Sequence, residues 1–263
     1  MDVSLVDGSL ADRSTVGQST GGDGHQFLMS TLINESVVID AGSIGFVSPL
    51  DVQRRVRHVF LSHCHMVHIA SLPIFLDNIY APGPDCPTVY GSEEALNTIR
   101  RDIFNGRVWP DLVELSTPDS PFLQMETLQS GTTIEVDSLR ITPIELQHVV
   151  PTMGFIVEDK DSAMALVSDT GPTSEIWQVA NRTTNLKAVF LEASFPTHLD
   201  WLAEETMHLT PRLLAEELKK LRRPARVIAV HIKAAHREEV DRELRELSIP
   251  KLEVGVPNRV YHL

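Results

Sequence analysis

The segment Val59-Phe-Leu-Ser-His63-Cys-His65-Met-Val67-His68 constrains the chain more than any other, because an apolar run passes directly into three histidines. The run from Val56 to Leu61 reads as a buried strand. His63 and His65 are two residues apart, so in extended backbone their side chains point the same way. His68 follows after a turn that can bring it back toward the same point. Neutral imidazoles converging at the end of a strand are the donors that zinc, iron or manganese takes.

The other candidate partners also follow strand-like runs. His148 comes after Ile144-Glu-Leu-Gln, Asp169 after Ala165-Leu-Val-Ser, and His231 after Val227-Ile-Ala-Val. Five histidines and one aspartate at strand ends are far more specific than any one of them, since a single histidine is more often a surface residue. Further strands are expected at 26–34 and 36–40, joined as a hairpin through Asn34-Glu35, and at 139–145, 154–158, 163–167, 188–191 and 227–230. Residues 8–25, rich in Gly, Ser, Thr and Asp, read as loop. The run 69–78 looks helical despite Pro73. A later helix is well marked, with Thr210 as N-cap, Pro211 at the first helical position, apolar Leu213, Leu214, Leu218 and Leu221, and a stop at Arg222-Arg223-Pro224. The last helix, about 237–247, carries Val240, Leu244 and Leu247 on one face. Strands with helices distributed through both halves suit stacked sheets covered by helices on their outer faces.

A chain of 263 residues with 42% hydrophobic residues can bury a large core. With no long linker in view, residues 1–263 are expected to form a single α/β domain. Lys plus Arg is 23 and Asp plus Glu is 36, a formal charge of −13. That balance argues against sequence-independent binding to long nucleic acid, which needs an excess of cations, while a small anionic substrate held by a metal remains open. Cys64 and Cys86 make no disulfide framework, the start Met1-Asp-Val-Ser-Leu lacks the regions of a signal peptide, and no apolar run reaches membrane-span length. The expectation is a cytoplasmic protein with no membrane partner.

The histidine motif, taken with the rest, resembles the metallo-β-lactamase superfamily, whose signature His-x-His-x-Asp-His is here His63-Cys-His65-Met-Val67-His68. Within that superfamily the chain is similar to the class II cyclic-nucleotide phosphodiesterases. The motifs that carry this likeness are Ile39-Asp-Ala-Gly-Ser43, Ile103-Phe-Asn-Gly-Arg-Val-Trp-Pro110, His148-Val-Val-Pro-Thr-Met-Gly-Phe155, Ser168-Asp-Thr-Gly-Pro172, Glu192-Ala-Ser-Phe-Pro196 and His208-Leu-Thr-Pro211. The resemblance implies an αββα sandwich of two mixed sheets with helices on the outer faces. It implies one or two divalent ions, zinc first, with manganese or iron as alternatives. His63, His65 and His148 would hold one ion, His68 and His231 a second, and Asp169 would bridge them. Glu192 and His208 resemble a pair in which the histidine contacts the phosphate or helps the leaving group depart. His208 also lies two residues before the Thr210 cap, beside the positive end of a helix, which suits a phosphate oxygen. The implied reaction is in-line attack of water on a 3′,5′-cyclic nucleotide such as cAMP or cGMP, giving the 5′-monophosphate. A homodimer is compatible with the resemblance alone.

Two positions depart from the family pattern. Val67 stands where the family has an aspartate that binds the second metal, and valine can neither coordinate nor accept a hydrogen bond. Met207 stands where the family usually has glycine, and would narrow the pocket mouth. The loss at position 67 keeps a second reading open, a catalytically degenerate protein that binds a nucleotide or metal and signals through a partner. A weaker third reading is another hydrolase of the same fold, acting on a thioester or a transfer-RNA precursor. Cys64 should point away from the ligands as a small filler and Met66 should be core. His25, His58, His198, His236 and His262 read as structural or solvated, Cys86 as loop, and Lys219-Lys220-Leu-Arg222-Arg223 as the last turn of a helix.

Overall fold

Alternating burial along the strands builds the architecture. In the computed structural model, which describes residues 1–6 and 28–263, the first sheet contains β1 (Asp2–Leu5), β2 (Thr31–Ile33), β3 (Val37–Ile39), β4 (His58–Phe60), β5 (Thr88–Gly91) and β6 (Gln124–Thr127). The second contains β7 (Ile134–Val136), β8 (Leu139–Leu146), β9 (Thr152–Glu158), β10 (Ala163–Val167), β11 (Leu186–Glu192), β12 (Arg226–Val230) and β13 (Leu252–Val254). The chain then returns as β14 (Val260–His262) to the edge of the first sheet, beside β1. Both sheets are mixed: β3, β4, β5 and β6 run parallel in one and β10 to β13 in the other, and the remaining neighbours are antiparallel.

Successive residues of a strand face opposite sides, and β10 shows the consequence. Met164 and Leu166 enter the core between the sheets, while Ala163, Ala165 and Val167 face the helices. In β4, Phe60 enters the same central core and Val59 packs toward the opposite helical layer. Phe60 stacks on Tyr90 at 4.3 Å and meets the edge of Phe155 from the other sheet. Helices α1 (Leu50–Arg55), α2 (Met66–Ile69), α3 (Leu72–Ile79), α4 (Glu93–Thr98) and α5 (Leu112–Leu115) belong to the first half. Helices α6 (Glu175–Arg182), α7 (Asp200–Thr206), α8 (Pro211–Leu218) and α9 (Arg237–Glu246) belong to the second. The inward residues of α3 and α4 cover the first sheet, and those of α6, α8 and α9 cover the second, which completes the expected αββα sandwich.

Most strand positions agree with the alternation in the sequence. The Asn34-Glu35 hairpin turn has both residues at positive φ, 46° and 66°, the conformation that matches strand twist. The run 69–78 is two helices, since Ala70 and Ser71 separate α2 from α3 and Pro73 sits within the first turn of α3, where its missing N–H costs nothing. Met66, expected in the core, is 59% exposed: it opens α2, whose buried side carries His68 and Ile69. Lys219 and Lys220 lie just past the end of α8 and pair with Glu216 and Glu217, rather than forming its last turn. The loop expected at 8–25, His25, and the first two residues of the strand expected from Gln26 lie outside the described residues.

Candidate metal centre

Because β3 and β4 run parallel in one sheet and β10, β11 and β12 in the other, their carboxyl ends meet at one end of the sandwich. Open α/β sheets bind ligands at such ends. Asp40 follows β3, His63 and His65 follow β4, His148 follows β8, Asp169 follows β10, Glu192 ends β11 and His231 follows β12. Backbone hydrogen bonds anchor the turn carrying His65 to His68: the Val67 carbonyl accepts from the Met29 N–H at 2.8 Å, and the His68 carbonyl from the Ala41 N–H at 2.7 Å. A Cβ on Gly42 would lie 2.1 Å from the Val67 oxygen, so only glycine permits this approach.

All six expected ligands converge. Donor atoms of His63, His65, His148 and Asp169 lie within 4.8 Å of one another, as do those of His68, Asp169 and His231. Asp169 Oδ2 stands 3.3 Å from His68 Nε2, 3.5 Å from His231 Nε2 and 3.7 Å from His63 Nε2. His148 Nε2 approaches His65 Nδ1 at 3.3 Å. His63 Nε2, His231 Nε2 and Asp169 Oδ1 are buried with no hydrogen-bond partner, an expensive arrangement for polar atoms unless a cation lies among them.

The electrostatics agree. Burial, with the neighbouring His68, His65 and His148, pushes His63 well below its ordinary pKa, and burial does the same to His231 against the pull of Asp169. His65 and His148 are lowered too, first by burial. These rings are neutral at pH 7, the state that binds a metal. Burial would also lower His68, but Asp169 and Asp40 on its two sides raise it to about 10. Burial opposes ionisation of Asp169, yet His231 and His68 hold its carboxyl well below the usual carboxylate range. A carboxylate ringed by bare imidazole nitrogens calls for a positive charge, whether a proton on His68 or a divalent ion.

Residues around the expected ligands hold them. His68 donates Nδ1–H to Asp40 Oδ2 at 2.7 Å, and Asp40 also accepts the Ser62 N–H and hydroxyl. His148 donates Nδ1–H to the Met207 carbonyl at 2.9 Å, and Met207 takes the left-handed conformation (φ 51°) that ends α7. Glu192 is fully buried and accepts from Thr170 N–H, Leu209 N–H, the Ser194 hydroxyl and His208 Nδ1–H. Burial would lower the His208 pKa, but Glu192 raises it. Glu192, His208 and His231 also come close enough to suggest a metal site, but the hydrogen bonds already taken by Glu192 make this a hydrogen-bonded hub. Thr210 caps α8 as expected, accepting the Leu213 N–H, while its own hydroxyl donates to Asp200.

Val67 is half-buried and contributes no donor. Cys64 is half-buried, outside the ligand clusters, and its thiol interacts with Thr98. His58, His198, His236 and His262 stand outside the clusters, His262 bonding Asp2 and His198 facing Glu239. Asp40, Ser62 and Ser194 are the site residues that sequence reasoning passed over. Asp40 belongs to the Ile39-Asp-Ala-Gly-Ser43 motif, and its position directly after an apolar run is the signal that marks it.

The whole chain superposes on two solved proteins. One is unliganded yeast PDE1, with a TM-score of 0.78 and 14% identity over 100% of this chain and 99% of that one. The other is the metallo-β-lactamase fold protein YhfI from Bacillus subtilis, with a TM-score of 0.70 and 13% identity over 99% of each. The fold is thus the metallo-β-lactamase fold, with the histidine and aspartate donors gathered at the strand ends. Residues 48–236 match the profile of the class-II cAMP phosphodiesterases, and the chain belongs to that family. A curated relative, a probable 3′,5′-cyclic-nucleotide phosphodiesterase of Yersinia pestis, is 25% identical over 77% of this chain and 64% of its own length. The chain therefore spans a little under two thirds of that relative.

Proposed function

We propose that the protein hydrolyses a 3′,5′-cyclic nucleotide, cAMP or cGMP, to the 5′-monophosphate at a divalent-metal centre, with zinc as the first candidate and manganese or iron as alternatives. The observation that carries this reading is the convergence of five imidazoles around Asp169, with His63 Nε2, His231 Nε2 and Asp169 Oδ1 buried and unpaired. Family membership supplies the substrate class. Because donors come from both sheets, the reading treats residues 1–263 as one catalytic unit.

His63, His65, His148 and Asp169 would hold one ion, and His68 and His231 a second that shares Asp169. Such ions supply Lewis-acid neutralisation of a phosphoryl group and lower the pKa of water. The protein's own groups do the rest. Asp40, Met207 and Glu192 keep the imidazoles and His208 oriented, so little reorganisation accompanies the reaction. His208, with Nδ1–H fixed on Glu192, presents its other nitrogen to the phosphate and donates a proton to the departing ribose oxygen. It also stands two residues before the N-cap of α8, whose first turn favours negative charge.

The second ligand set has three protein donors where the family pattern has an aspartate in addition. Three donors suffice for zinc, but loss of an anionic donor weakens the site. Val67 is also the observation that favours the second reading, a sensor without turnover. Metal content per chain and hydrolysis of cAMP and cGMP, compared between the native protein and Val67→Asp, separate the two. The enzyme reading predicts at least one ion and measurable turnover in the native protein, with higher occupancy of the second site in the variant. A native protein that binds no metal and hydrolyses nothing, while Val67→Asp gains both, would contradict it.

A further inference from the structure

Two buried serines, one after a central strand of each sheet, make the same pattern of contacts. Ser62 is fully buried; its Oγ lies 2.9 Å from Asp40 Oδ2 and 3.0 Å from His63 Nδ1. Ser194 is fully buried; its Oγ lies 2.6 Å from Glu192 Oε2 and 2.9 Å from both His231 Nδ1 and the His231 carbonyl. Each hydroxyl thus joins a buried carboxylate to the Nδ1 of a histidine whose Nε2 faces Asp169.

A serine hydroxyl has one proton to give and lone pairs to receive with. In both places the carboxylate can only accept, and a hydrogen bond to a charged acceptor is the stronger one. The hydroxyl proton therefore goes to Asp40 in one case and to Glu192 in the other. The histidine Nδ1 at hydrogen-bond distance must then bring its own proton and donate to the serine. That leaves Nε2 of His63 and of His231 as a bare lone pair, which agrees with both atoms being buried and unpartnered beside Asp169.

We propose that Ser62 and Ser194 are positioning residues that fix the Nδ1–H tautomer and the ring direction of His63 and His231, one serine for each ligand set. The proposal rests on the metal-centre reading above. Met207 does the same for His148 with a carbonyl, and Asp40 for His68 with a carboxylate, so four of the five histidines are held through Nδ1. The serines differ in that each carries the polarity of a buried carboxylate one hydrogen bond further. Ser194 also matters most where Val67 has left the fewest donors, because His231 is one of only three in the second set.

The test uses the full chain with histidine-selective 15N labelling, loaded with Zn²⁺, and reads long-range 1H–15N correlations of the rings together with Zn²⁺ titration. The expected result is Nδ1–H on both His63 and His231 in the native protein. Ser194→Ala should perturb the imide signal of His231 and leave that of His63, and should weaken binding of the second zinc equivalent roughly 10- to 100-fold. Ser62→Ala should perturb His63 and weaken the first equivalent. Ser194→Thr keeps a hydroxyl and should restore the His231 signal. A native protein carrying the proton on Nε2 of either ring would overturn the proposal, even if the alanine variants fail to fold. Unchanged signals and zinc affinities in both alanine variants would also overturn it. Native protein that binds no zinc would overturn it together with the metal-centre reading. Absence of cyclic-nucleotide turnover alone would sink the phosphodiesterase reading and leave these readouts standing.

Discussion

His68 directs Nδ1–H onto Oδ2 of Asp40 at 2.7 Å, inside a pocket where both side chains are almost wholly buried. Asp40 adopts a left-handed backbone (φ 62°) directly after β3, a conformation that aspartate and asparagine tolerate better than most residues. Asp40→Asn therefore keeps the backbone and removes the charge behind His68. The expected outcome is a 10- to 100-fold loss of affinity for the second metal equivalent, with the first changed less, measured by calorimetric titration.

His208 is expected to affect turnover without affecting the ions. His208→Gln removes the group that Glu192 orients, and kcat should fall by about 10² to 10⁴, the span typical of a general acid. Metal content by mass spectrometry should remain that of the native protein. A variant that loses metal in step with activity would move His208 from proton donor to ligand.

Met207 holds a left-handed conformation with a side chain, although its carbonyl is what His148 needs. Met207→Gly keeps that carbonyl and relieves a strain of roughly 1 kcal/mol. Urea unfolding should show the variant as stable as the native protein or slightly more so. A lower KM with little change in kcat would show that the methionine narrows the mouth.

Asp159 closes the turn between β9 and β10, accepting N–H groups of Asp161 and Ser162 and facing the Met1 amine at 3.1 Å. Burial would raise its pKa, but these donors lower it from 3.8 to about 2. A folded-state pKa below the unfolded value stabilises the fold above about pH 4, and that stability is lost as pH falls through about 2. The difference in urea midpoint between the native protein and Asp159→Ala should be largest above pH 4 and shrink toward pH 2.

The six residues that converge were legible because His63, His148, Asp169 and His231 each follow a strand-like run and His65 and His68 come close behind His63, and a buried strand that ends in histidine or aspartate advertises both burial and chemistry. Thr210 and Pro211 were legible for a local reason, since capping is set within four residues. Asp40, Ser62 and Ser194 were not, because Asp40 meets Ser62 and His68 across 22 and 28 residues and Ser194 meets His231 across 37, while a serine next to a histidine or two residues after a glutamate carries no such mark by itself. Met66 looked apolar enough for the core, but the turn that buries His68 leaves Met66 outside. Glu217 is similar: a charge in the polar pattern of α8, it is in fact buried and accepts from Trp177 at 2.7 Å, a contact between distant helices.

Metal-dependent hydrolysis of a cyclic nucleotide can be followed by 31P NMR of cAMP or cGMP incubated with the full chain. Zinc- or manganese-loaded protein should convert the cyclic phosphodiester signal into that of the 5′-monophosphate, and the chelator-stripped protein should not until metal is returned. A cyclic nucleotide left intact by metal-loaded native protein, at protein concentrations equal to the substrate, would rule out this hydrolysis.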